Sequence, residues 1–161
     1  MGEAGLRIRF AATDDARLAA FAPAYWRRKA AAKRFAKDRA QELVVGGLLA
    51  EMVSEFRRER MSADLVIDAD PGGKPCLRDF PDIHFSVSHT DGLVMCAIAD
   101  RPVGCDVERI VPLEDEVREE IGSIEAWTKR EARFKCGEGS GEARAVSAPA
   151  GYCAAIATET R

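Results

Sequence analysis

Residues 103–108 have the sequence VGCDVE, in which one apolar residue separates two carboxylates, Asp106 and Glu108. On an extended strand alternate side chains face the same way, so both carboxylates share one face while Cys105 and Val107 turn toward a core. Like charges held this close raise each other's proton affinity unless a cation lies between them. A Mg²⁺ site is therefore a natural interpretation, because this ion prefers carboxylate oxygens.

A second acidic motif follows in residues 127–135, which read WTKREARFK. The helix predicted there can supply a third oxygen ligand from Glu131. Lys135 lies four residues later and shares a helical face with Glu131, which leaves two interpretations open. The pair can form a salt bridge worth roughly 0.2–0.5 kcal/mol, or the ammonium can lie beside the metal.

Two further motifs precede these, Gly73-Lys74-Pro75 and residues 85–90 with the sequence FSVSHT. In this order the four motifs resemble those of the surfactin-type 4'-phosphopantetheinyl transferases. The resemblance covers roughly residues 25–139 and implies a compact, shortened member of that family. The resemblance implies an α+β fold of two pseudo-twofold halves, each with a small antiparallel sheet packed against helices. We expect residues 1–75 to form the half with the basic helix and residues 76–161 the half with the metal and catalytic motifs.

The resemblance also implies a reaction. A Mg²⁺-dependent enzyme of this family moves the 4'-phosphopantetheine arm of coenzyme A to a serine of an apo acyl or peptidyl carrier protein. Asp106, Glu108 and Glu131 are then the metal ligands, Glu131 is also the candidate general base, and Lys135 takes the catalytic role in preference to the salt bridge. The residues expected to contact coenzyme A are Arg28, Lys74, Pro75, Ser88 and His89.

The sequence departs from the family pattern at several positions. Ala31 and Gln41 stand where basic residues that contact a phosphate of coenzyme A are expected, and the segment between Glu108 and Trp127 is short. These departures leave open a degenerate relative that binds coenzyme A or a carrier protein without transfer. A further alternative is a metal-dependent phosphoester hydrolase that uses the same acidic cluster.

Composition and charge narrow the class of protein. The 161 residues include five cysteines without a C-x-x-C pair, which argues against a disulfide framework or a zinc site. No apolar run approaches the ~20 residues of a membrane span, and residues 1–10 lack the apolar stretch of a secretory signal, so we expect a cytoplasmic protein. We expect a monomer, because both halves are present in one chain.

The net charge of −3 is unevenly distributed. Through residue 75 there are 14 Lys and Arg against 11 Asp and Glu, or +3, and the remainder has 10 against 16, or −6. The basic excess can bind phosphates or an acidic carrier protein, or it can form a solvated helix face. The negative net charge of the whole chain and its few aromatic residues argue against nucleic-acid binding. The basic residues concerned are Arg27, Arg28, Lys29, Lys33, Arg34, Lys37 and Arg39.

Hydrophobic periodicity predicts the order of helices and strands. The Gly46-Gly47 pair inside the first helical region costs about 1 kcal/mol per glycine against alanine, so it predicts either a close helix contact or a break into two helices. Turn residues at 90–92 and 100–102 suit antiparallel hairpins. The predicted strands are residues 6–10, 65–67, 83–89, 93–99, 103–110 and 151–158, and the predicted helical segments are residues 25–60, 114–121 and 123–136.

Overall fold

The computed structural model describes residues 5–160, which combine helices with small antiparallel sheets as the sequence predicts for an α+β protein. The strands are β1 (Arg7–Ala12), β2 (Ile67–Ala69), β3 (Pro75–Leu77), β4 (His84–Thr90), β5 (Leu93–Ala99), β6 (Val103–Arg109), β7 (Arg144–Val146) and β8 (Tyr152–Thr158). The helices are α1 (Ala16–Ala19), α2 (Ala24–Ala31), α3 (Ala36–Arg57), α4 (Asp115–Ile121) and α5 (Ile124–Cys136).

Two three-stranded antiparallel sheets form the centre of the molecule, with strand orders β1-β5-β4 and β6-β8-β7. In each sheet the strand that comes first in sequence lies at one edge and the strand that comes last lies in the middle. Helix α3 packs on the first sheet and α5 on the second. The first sheet pairs β1 with β5, which follows residue 75 in the chain. The predicted division into a half of residues 1–75 and a half of residues 76–161 stays a prediction.

Strand β5 connects the two hydrophobic cores because it is buried on both faces. One face contributes Val94, Cys96 and Ile98 to a cluster with α3, and the other contributes Leu93 and Met95 to a cluster with the second sheet. Side chains on adjacent strand positions point to opposite faces, so a single apolar run can serve both clusters. The uninterrupted run LVMCAIA therefore specifies the strand between the two cores.

The antiparallel hairpin predicted for residues 93–99 and 103–110 is wrong, because β6 pairs with β8. Both edges of β5 are already occupied, one by β1 and the other by β4. The hairpin predicted between residues 83–89 and 93–99 is confirmed.

Strands β4 and β6 lie side by side, and hydroxyl groups of β4 accept hydrogen bonds from backbone amides of β6. The residue numbers rise together by two along both strands, so the two strands run parallel. These contacts replace a backbone ladder at the junction of the two sheets, and we call the three hydroxyl residues of β4 the hydroxyl ladder. The bonds run from Cys105 N to Ser86 Oγ at 3.0 Å, from Val107 N to Ser88 Oγ at 3.2 Å and from Arg109 N to Thr90 Oγ1 at 3.3 Å.

The helical region predicted over residues 25–60 is two helices, and the break lies at residues 32–35 instead of at the glycines. The Arg39 guanidinium donates to the carbonyls of Lys33 and Arg34 in this break. Helix α3 continues through Gly46-Gly47, where a Cβ on Gly46 would lie 2.7 Å from the Trp26 Cβ. The glycine pair therefore marks a close contact.

The remaining boundaries differ from the predictions by small amounts. The strand predicted at residues 65–67 lies at Ile67–Ala69, and the one predicted at residues 6–10 is the longer Arg7–Ala12. The short elements α1, β3 and β7 were not predicted, because four or fewer residues carry too little periodicity. None of the helices between residues 5 and 160 combines the length and the apolar character that crossing a bilayer requires.

Gly47→Ala should destabilise the protein by about 2 kcal/mol or more, although alanine favours an isolated helix. The added Cβ would overlap the backbone carbonyl of Leu18, which cannot move away as a flexible side chain can. Urea unfolding measures the effect. Gly141→Ala is the control, since its Cβ would meet Thr160 only at 3.4 Å. A Gly47→Ala protein as stable as the control would contradict the close contact.

Candidate active site

Helix α5 lies directly on β6, and Gly104 makes this approach possible. A Cβ at Gly104 would overlap the Ala132 carbonyl and the Cys136 amide of the helix. Because side chains alternate along a strand, Asp106 and Glu108 face α5 with Gly104. Ser123 caps the N-terminus of the helix, and its Oγ accepts from the Ala126 amide at 3.0 Å. The sequence thus brings the two acidic motifs onto facing surfaces.

Asp106 is 4% exposed, and both of its observed hydrogen bonds reach the same oxygen. Oδ1 accepts from Ser88 Oγ at 2.9 Å and from Lys135 Nζ at 2.9 Å. Oδ2 is buried and accepts from no N–H or hydroxyl donor of residues 5–160. A buried carboxylate oxygen without a donor costs free energy, so this atom is a candidate ligand atom.

Glu108 lies beside Asp106 on the same face of β6. Burial raises the pKa of the Glu108 carboxyl, and the negative charge of Asp106 and a hydrogen bond between the two carboxyl groups raise it further. A hydrogen bond from the Trp127 indole opposes these effects. A cation bound beside the two carboxylates would therefore reduce the repulsion between their negative charges.

Glu131 lies between Trp127 and Lys135 on α5, one turn from each. All three side chains are half-buried and follow the four-residue spacing of one helical face. Trp127 contacts Glu108 and Lys135 contacts Asp106, so Glu131 lies on the part of the helix that covers the carboxylate pair.

The chemistry of these donors fits a Mg²⁺ ion in one respect. Mg²⁺ is commonly held by one or two carboxylates together with substrate phosphates and water, and Asp106 offers an unpartnered oxygen next to Glu108. Between residues 5 and 160, no group of three or more His, Cys, Asp or Glu side chains is placed to hold a metal ion. Glu131 as a third ligand stays a prediction.

A cavity of about 300 Å³ opens beside Asp106. His89 lies in its wall, where the Gln41 amide contacts its Nδ1. Desolvation lowers the pKa of His89, and the charge of Glu42 partly opposes this. The residues around the cavity are Trp26, Lys29, Glu42, Val45, Val87, Ser88, His89, Asp106 and Lys135.

Sequence reasoning did not identify the buried acid on this side of the cavity. Glu42 is 4% exposed, and its carboxylate pairs with Lys29 Nζ at 3.6 Å and with Lys33 Nζ at 3.4 Å. Arg28, which was predicted to contact coenzyme A, is exposed on α2, whereas its neighbour Lys29 lines the cavity. Lys29 and Lys33 are four residues apart in the sequence, and this spacing was the feature that could have indicated a shared acidic partner.

Lys74 and Pro75 line an adjoining cavity of about 520 Å³, which shares Lys29, Val87 and Lys135 with the first. The Lys74 ammonium donates to the Val103 carbonyl at 2.7 Å. Burial lowers the pKa of Lys74. The predicted coenzyme A contacts Lys74, Pro75, Ser88 and His89 therefore line two neighbouring cavities, and their contacts with coenzyme A stay predictions.

Comparison with known proteins finds similarity to proteins named 4'-phosphopantetheinyl transferases, the activity of the family that the motifs resemble. The 4'-phosphopantetheinyl transferase Sfp of Bacillus subtilis strain 168 is 29% identical over 99 residues, which are 62% of this chain and 44% of that protein. The transferase ffp of Bacillus subtilis is 31% identical over the same shares. The transferase gsp of Aneurinibacillus migulanus is 50% identical over 49 residues, 30% of this chain and 20% of that protein.

The chain is similar to several named 4'-phosphopantetheinyl transferases over up to about 62% of its length. No family model matches it. The matched stretches span less than half the length of these transferases.

The free energy of unfolding should fall as the pH drops below about 6.5, in part because of His84. Burial and the nearby Lys74 lower the pKa of His84, against the opposing charges of Glu159, Asp100 and Asp82. The unfolded chain, with an ordinary histidine pKa near 6.5, therefore takes up a proton at higher pH than the folded protein. Urea unfolding at about pH 7.5 and about pH 5.5 should show a smaller loss of stability in His84→Asn than in the unaltered protein. Equal losses would exclude this contribution.

Proposed function

We propose that this protein transfers the 4'-phosphopantetheine arm of coenzyme A to a serine hydroxyl of an apo acyl or peptidyl carrier protein, with Mg²⁺ bound. The observation that supports this most is the arrangement at Asp106. One of its oxygens is held by Ser88 and Lys135, and the other is buried next to Glu108 and accepts from no N–H or hydroxyl donor in the described part of the chain. The similarity to named 4'-phosphopantetheinyl transferases supports the same reaction.

Asp106 and Glu108 would hold the ion, which would neutralise charge on the pyrophosphate of coenzyme A when bound. Lys135 contributes a positive charge at the same place. Its ammonium is 2.9 Å from Asp106 Oδ1 and its side chain is 29% exposed, so it is partly shielded from water. A charge held in a partly desolvated site stabilises a departing phosphate more strongly than one in bulk water.

Glu131 is the proposed general base. The serine oxygen of the carrier protein forms a bond to the β-phosphorus while the bond from that phosphorus to the leaving oxygen breaks. The serine proton passes to the Glu131 carboxylate, and adenosine 3',5'-bisphosphate leaves with the electron pair. Glu131 supports this role by its position, because it lies between the residues that contact Glu108 and Asp106.

Coenzyme A would occupy the two adjoining cavities, with Lys74, Pro75 and His89 among its contacts. Lys29 and Lys33 carry positive charge on the His89 side, and we propose them in place of the basic residues expected at Ala31 and Gln41. The exposed Arg28 would act at longer range.

We also propose a pseudo-twofold relation between the two halves of the fold, and a cytosolic monomer as the active form. The same strand order in both sheets, with the last strand in the middle, supports the twofold relation.

Glu131→Gln should lower transfer by about 100-fold or more while leaving the fold intact, because it removes a base without changing side-chain volume. The assay is mass spectrometry of several apo carrier proteins incubated with coenzyme A, Mg²⁺ and the protein. Glu125→Gln is the matched control, since Glu125 is exposed in the first turn of the same helix.

Two results would contradict the proposal. A Glu131→Gln protein as active as Glu125→Gln would remove the general base. No mass gain on any carrier, combined with calorimetric binding of coenzyme A, would instead support a relative that binds without transfer.

A further inference from the structure

We propose that Ser88 is a positioning residue that fixes the orientation of the Asp106 carboxylate and keeps Oδ2 free for a ligand. The inference rests on the proposed function for its purpose, since it concerns the same site. It gives Ser88 a different role from the coenzyme A contact predicted from the sequence.

The hydroxyl of Ser88 has no proton left for a phosphate. A serine hydroxyl has one donor hydrogen and two acceptor lone pairs. Its hydrogen goes to Asp106 Oδ1 at 2.9 Å, and one lone pair accepts from the Val107 amide at 3.2 Å. A phosphate oxygen needs a donor, so binding one here would break the bond to Asp106.

Ser88 is better suited than Lys135 to set the angle of the carboxylate. Both donate to Oδ1, but Lys135 reaches it through a long, flexible side chain that is 29% exposed. Ser88 is 7% exposed, lies on a paired strand and is bonded to the backbone of the residue next to Asp106. Asp106 and Val107 are therefore held by one short side chain, which restricts rotation of the carboxylate.

Ser86 provides an internal comparison on the same strand. It is also buried, and its Oγ accepts from the Cys105 amide at 3.0 Å, as Ser88 does from Val107. The carboxylate of Asp106 is bonded to the other hydroxyl, that of Ser88. Ser86→Ala therefore removes one contact of the hydroxyl ladder and leaves the donor to Asp106 in place.

The first readout is structural and needs neither metal nor substrate. Crystal structures of Ser88→Ala and Ser86→Ala should show the Asp106 carboxylate rotated or in two orientations in the first variant and unchanged in the second. An unchanged Asp106 in Ser88→Ala would overturn the inference. Ser88→Cys, which keeps a side-chain group at this position but weakens the donor, should show the same change to a smaller extent and replaces Ser88→Ala if that protein does not fold.

The second readout is Mn²⁺ binding followed by electron paramagnetic resonance, with Mn²⁺ as the probe ion. Loss of a residue that orients a ligand typically weakens metal affinity by about 10–100-fold, which is the change expected for Ser88→Ala and not for Ser86→Ala. Equal affinities in the two variants would overturn the inference. If the unaltered protein neither binds Mn²⁺ nor transfers the arm, the proposed function fails, and the orientation of Asp106 in the crystals still decides the role of Ser88.

Discussion

The contact of the α5 backbone with Gly104 brings the acidic motif of α5 onto the carboxylates of β6. Because the helix lies on the strand without an intervening side chain, residues of α5 reach β6 over short distances. Lys135 can then contact Asp106, and Trp127 can contact Glu108. The hydroxyl ladder adds a second constraint, because its hydrogen bonds fix the register of β6 relative to β4.

The positive and negative charges around the cavity beside Asp106 are nearly balanced within the protein. Lys135 pairs with Asp106, and Lys29 and Lys33 share the buried Glu42. The Lys29 and Lys33 side chains stay 45% and 44% exposed, and their pairing with a carboxylate reduces the repulsion among the three cations, so the folded protein can hold them near one another. A polyphosphate would then bind by sharing cations with carboxylates, which makes its affinity sensitive to salt.

Much of the fold follows from the sequence because local patterns carry it. The α+β class, the strands β4, β5, β6 and β8 and the helix α5 follow from hydrophobic periodicity and turn residues. Pairing of β6 with β8 did not follow, because it depends on which edges other strands occupy. Likewise the shared face of Asp106 and Glu108 is set by strand geometry. The contacts of Lys135 and Glu42 depend on how helices pack, which single-sequence patterns do not specify.

The pairing of β1 with β5 has a consequence for how the chain folds. Arg7 lies opposite Ile98 and Ala12 opposite Leu93, whereas β4 and β5 are joined by a tight turn. Pairing β1 with β5 closes a loop of residues 13–92, which costs more entropy than closing the β4–β5 turn. Contacts between residues that are distant in sequence also slow folding. We expect the β4–β5 hairpin to form early as a nucleus and β1 to join it late, so the first sheet is completed only after most of the chain has been synthesised.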